Sequence, residues 1–135
     1  MRRIHFVVGL LGVVVFVLTG QAMARHAPPV KAMLPELRLM YVSRHIYLLG
    51  AALVNLMTGL YLRMDSGGWR RRAQILGSGL LFFSPVALTL AFFTEPPLGL
   101  AGRSWVSRQG LFTLLGGALL HTISRIGRDS NYIAE

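Results

Sequence analysis

At 135 residues, 53% hydrophobic and only 14% charged, with a mean hydropathy of +0.55, the chain lacks the polar surface of a water-soluble body, where about 25% of residues are charged. The deficit points to lipid as the solvent and to one integral membrane domain over residues 1–135. The absence of cysteine excludes disulfides, thiolate metal sites and Cys nucleophiles; the net charge of +9, spread over the ends of apolar runs, suits membrane lipid head groups and argues against nucleic acid.

Four apolar runs approach the length needed to cross a ~30 Å hydrocarbon core, about 20 residues for a helix. The first covers residues 4–23. Its opening "MRR", apolar stretch from Phe6 to Leu18 and following "QAMA", with Ala22 and Ala24, also resemble a cleavable signal peptide. Retention is the expectation, because the run is long enough to span. His5, Gly9, Gly12, Phe16 and Thr19 share one helical face. "RHAPPVKAMLPELR" follows as a loop, with His26 beside two prolines and solvated.

The second run, residues 43–62, aligns Tyr41, His45, Leu48, Ala52, Asn55 and Gly59. The loop "RMDSGGWRRR" after it holds the densest basic group in the chain. In the third run, residues 73–93, the face is Gly77, Ser84, Leu88, Ala91 and Glu95. Pro85 predicts a kink there, with Ser84 placed to rebond a freed carbonyl. After "TEPPLGLAGRSWVSR", whose apolar "PPLGLAG" can press on a partner, the fourth run covers residues 108–124. It is the shortest, suited to a thin or pinched bilayer, and aligns Gly110, Thr113, Gly117, His121 and Ser124.

The expected fold is therefore an all-α membrane protein, an antiparallel up-down bundle of four transmembrane helices, or of three if the first is removed. Small and polar residues on each face allow close backbone approach and interhelical hydrogen bonds. Asn55, Ser84 and Thr113 are the expected intramembrane polar packing residues. With the N-terminus inside, the inner segments hold Arg2, Arg3, Arg63, Arg70, Arg71, Arg72, Arg125 and Arg128. The outer segments hold Arg25, Lys31, Arg38, Arg44, Arg103 and Arg108. That bias places both termini on the cytoplasmic side of a bacterial inner membrane. Tyr41, Tyr47, Tyr61, Trp69 and Trp105 fall near the interfaces, where amphipathic rings anchor.

Two polar groupings emerge from this threading. An outer one gathers Gln21, Arg44, His45, Glu95 and Arg108, either as anchors fixing register or as a site for a quinone carbonyl or a lipid phosphate. An inner one brings His5 and His121 onto facing glycine-bearing helices, where they either hydrogen-bond within the bundle or ligate a b-type haem. No catalytic or metal-binding residue is expected. The five acidic residues give no pair at helical spacing in a membrane run, and "GLLG" and "LLGGALL" lack the strand–turn–helix setting and Lys of a phosphate loop. The leading expectation is a non-catalytic accessory subunit or binding scaffold, working with other membrane subunits or as a homo-oligomer. Its rivals are a redox protein binding haem or quinone, and a small transporter with Asn55, Ser84 and Glu95 along a path.

Overall fold

Proline and glycine set the boundaries of the helices, and the apolar runs between them fold as continuous α-helix. The computed structural model describes residues 1–26, 28–64, 67–101 and 104–126, with no strand among them. It contains α1 (Arg2–Arg25), α2 (Pro35–Tyr61), α3 (Gly68–Thr94) and α4 (Trp105–Ile123), with short 3₁₀ segments at Val30–Ala32 and Pro96–Ala101. Gly102 and Arg103 of the loop before α4, and the inner-segment Arg128, lie outside the described residues.

α2 starts at Pro35, well before the apolar run at residue 43. Pro35 occupies the first helical turn, where its fixed φ suits a helix and its missing N–H costs nothing. Glu36 and Arg38 in that stretch mask the helix in any apolar reading. α1, α2 and α3, the last continuing apolar to Leu98, are long and apolar enough to cross a membrane. α4 has 19 residues, about one bilayer core in length.

α1 packs along α2, α4 packs along α3, and contact between α2 and α3 joins the two hairpins. Each neighbouring pair is antiparallel, as its hydrogen bonds show. His5 near the start of α1 meets Asn55 near the end of α2, and Thr19 meets His45. Arg44 meets Glu95 across α2 and α3, and Ser84 meets Gly110 across α3 and α4.

The faces read from the sequence are the packed faces. His5, Gly9, Gly12 and Thr19 of α1 are buried, as are Leu48, Ala52, Asn55 and Gly59 of α2. Gly77, Ser84, Leu88 and Ala91 of α3 and Gly110 and Gly117 of α4 complete the set. At Gly59 a Cβ would lie 2.5 Å from the Phe6 backbone nitrogen, so α1 and α2 approach backbone to backbone. At Gly117 it would lie 2.8 Å from the carbonyl oxygen of Gly77, and α3 and α4 touch likewise. An apolar cluster of Val30, Tyr41, Leu48, Ala51, Leu88 and Phe92 fills the end of the bundle near Glu95, with Tyr41 and Phe92 edge to face at 5.6 Å.

α3 runs unbroken through Pro85. Proline has no N–H, so the carbonyl of Leu81, four residues back, loses its helical donor. Asn55 Nδ2 donates to that carbonyl at 3.0 Å. Ser84, the donor expected from the sequence, does not serve that carbonyl. Its hydroxyl instead points to α4 and donates to Gly110 O at 2.8 Å. The proline and the asparagine are thus two halves of one contact between α2 and α3.

Candidate functional site

Interior polarity collects at two places. The first lies where the start of α1 meets the end of α2, and Asn55 organises it. Both of its amide hydrogens are spent, on Ala51 O and Leu81 O, each at 3.0 Å. Its Oδ1 can then only accept, so the His5 Nδ1 2.9 Å away carries the proton and donates. With His5 neutral, its Nε2 accepts from the Ser78 hydroxyl at 2.9 Å. That leaves Ser78 Oγ as an acceptor toward His121 Nε2 at 3.2 Å, which donates. Four side chains from four helices form one directed chain, from His121 through Ser78 and His5 to Asn55. Phe82 closes the site, its ring 4.3 Å from that of His5.

This arrangement does not fit a haem between the two histidines. Axial ligation needs a gap wide enough for the macrocycle and a lone pair from each imidazole facing the iron. The His5 and His121 rings stand 5.9 Å apart at 80°, and both Nε2 atoms are engaged with one serine hydroxyl between them.

The second place is the opposite end, where α2 begins, α3 ends and α4 begins. Arg44 and Glu95 form a buried ion pair, Nε to Oε2 at 2.7 Å. Glu95 Oε1 accepts the Ser107 backbone N–H at 2.9 Å, which ties the first turn of α4 to the end of α3. Arg44 Nη1 donates to Met40 O at 3.1 Å and to Ser43 Oγ at 3.3 Å, and Nη2 donates to Ser104 Oγ at 2.7 Å. Beside this pair opens a cleft of about 510 Å³, walled by Arg44, Tyr47 and the first turns of α4 through Leu111. Arg108 lines it, with its guanidinium 5.1 Å above the Trp105 ring.

The outer grouping expected from sequence is therefore divided. Arg44 and Glu95 bond directly, and Arg108 shares a cleft with Arg44. His45 faces α1, where its Nδ1 meets Thr19 Oγ1 at 2.9 Å and its ring stacks on Phe16 at 4.0 Å. Gln21 is exposed on α1. Of the expected packing residues, Asn55 and Ser84 bond across helices, whereas Thr113 bonds back to Gln109 O and Gly110 O of its own helix, each at 3.0 Å.

Ser78, Ser104 and Ser107 did not stand out in the sequence. Ser78 had a signal. Gln74, Ser78, Leu81, Pro85, Leu88 and Phe92 recur at alternating four- and three-residue steps, a second buried row beside the one containing Gly77. Ser104 and Ser107 lie in a loop and a first helical turn, where no periodicity marks them.

Among the described residues, every buried side-chain nitrogen and oxygen has a hydrogen-bond partner. Comparisons with protein-family models, with curated proteins and with solved structures give no match, so the functional reading rests on the residues and their geometry.

Proposed function

We propose that this chain is a polytopic protein of a bacterial inner membrane and serves as a non-catalytic accessory subunit or binding scaffold. In this reading α1 is retained, all four helices cross the bilayer, and both ends are cytoplasmic. One observation carries it: the polar interior is closed on itself while the outside of the bundle is apolar. His5, Asn55, Ser78 and Ser84 are at 0% exposure, whereas Leu11, Leu76, Val86 and Phe112 are all above half exposed. That distribution is the reverse of what water selects and the one lipid selects, because a polar group facing hydrocarbon lacks a partner.

Retention of α1 is supported by what its loss would expose. His5 supplies a bond to α2 and a bond to α3, and Gly9, Gly12 and Thr19 fill the α2 seam. The orientation is supported by Arg70, Arg71 and Arg72 in the first turns of α3, just after the short connection from α2. A scaffold suits a site whose donors and acceptors already satisfy one another. A transport path through Asn55, Ser84 and Glu95 would have to break bonds that each now makes to backbone or to Arg44.

The test is chemical cross-linking in native membranes at native abundance, followed by purification in mild detergent and mass measurement. The expected result is a stoichiometric assembly, with another membrane subunit or with a second copy. Recovery of the chain as a lone monomer from cross-linked membranes would overturn the scaffold reading.

A further inference from the structure

We infer that the cleft between α2 and the start of α4 binds a phosphate monoanion, and that a phospholipid head group is its source. The inference rests on the membrane reading for the source of the ligand, but not for the chemistry of the cleft. Three features of the structure lead to it.

The first is charge. Glu95 stands behind Arg44, outside the cleft lining, and neutralises it through Nε. Arg108 lines the cleft with no carboxylate among the described lining residues, so these residues leave one positive charge uncompensated. A single surplus charge matches a phosphodiester.

The second is the donor set. Arg44 Nε and Nη1 are committed, but Nη2 gives only one of its hydrogens, to Ser104 Oγ, and keeps the other. Ser104 Oγ accepts in that bond, so its own hydrogen is available to a ligand. Arg108 offers a guanidinium held over Trp105, and Tyr47 adds a phenol. Guanidinium and hydroxyl donors gathered this way suit phosphate oxygens.

The third is the wall. Leu111 lines the cleft, and Phe112 and Leu115 continue outward along α4 as exposed apolar side chains. An acyl chain can leave the polar cleft along that face. At about 510 Å³ the cleft is large enough for a head group.

The test uses the full-length protein carrying Trp69→Phe, so that Trp105 is the only tryptophan reporter. Emission is followed in neutral detergent during titration with phosphatidylglycerol, with phosphatidylcholine and with inorganic phosphate. A saturable change with phosphatidylglycerol alone, weakened about tenfold by Arg108→Ala and kept largely by Arg108→Lys, supports the lipid assignment. Saturation by inorganic phosphate with the same Arg108 dependence supports the anion site and overturns the lipid source. Equal, Arg108-dependent responses to both lipids support the phosphodiester they share, whereas an unchanged affinity in Arg108→Ala, or saturation by a quinone analogue with no response to the lipids or to phosphate, would overturn the site. Arg108 is exposed, and Lys31→Ala serves as a cation control away from the cleft. Because binding is read in detergent, a failed site and a failed membrane topology give separate results.

Discussion

Asn55 joins three helices with one amide: it accepts from His5 of α1, donates within α2, and supplies the donor that Pro85 denies to Leu81 of α3. Replacing it with leucine keeps the branched shape at a somewhat larger volume but leaves the His5 Nδ1 hydrogen and the Leu81 carbonyl unpaired. Asn55→Leu should therefore lower the unfolding free energy by about 1–3 kcal/mol, read by denaturant titration in detergent micelles. A neutral or stabilising result would mean the network is not what holds the hairpins together. Arg44 and Glu95 pose a sharper case because both are buried charges. Glu95→Leu strands the guanidinium and should cost about 3–5 kcal/mol, while Arg44→Met combined with Glu95→Leu should recover most of that loss. If the double variant is as unstable as the single one, the cost lies in lost packing and not in the stranded charge. Sequence already indicated that Asn55 faces inward, because the 3.6-residue period sets its direction. The period also separates Arg44 from His45. Adjacent residues on a helix point about 100° apart, so one turns to Glu95 and the other to Thr19. Grouping them by depth alone missed that rotation.

Helix contact in lipid draws little from hydrophobicity, since acyl chains are as apolar as leucine, and close approach takes its place. Gly59 and Gly79 give a paired test on two helices. A Cβ at Gly59 would collide with the Phe6 backbone, whereas at Gly79 nothing lies within 4 Å. Gly59→Ala should force α1 off α2 and destabilise the bundle by about 1–3 kcal/mol. Gly79→Ala should cause no loss in the same denaturation assay. Equal effects would show that the α1–α2 seam is looser than the geometry describes. The number of helices and their inner faces were legible in the sequence because apolar length and period are lipid's two demands on a helix. The start of α2 was not. Its first turns carry Glu36 and Arg38, so they are helix without being apolar, and only Pro35 hinted at them. The partner of the carbonyl freed by Pro85 was equally hidden, because it comes from another helix.

At the scale of the molecule, polarity runs inward and apolarity outward, and a cleft lined by Arg44, Arg108 and hydroxyl groups opens at the end where α2 and α4 begin. The central claim is that all four helices cross a bilayer with these polar side chains turned on one another. The absence of cysteine makes a direct measurement possible, because each introduced thiol is the only one in the chain. Lys31→Cys, Gly67→Cys, Leu98→Cys and Ile126→Cys place that thiol at exposed positions after α1, α2, α3 and α4 in turn. Probed from the outer side of intact spheroplasts with a membrane-impermeant maleimide, Lys31→Cys and Leu98→Cys should react at once. Gly67→Cys and Ile126→Cys should react only after the membrane is opened. Labelling of Leu98→Cys and Ile126→Cys from the same side would contradict a crossing by α4, and labelling of all four in sealed cells would contradict the bilayer account as a whole.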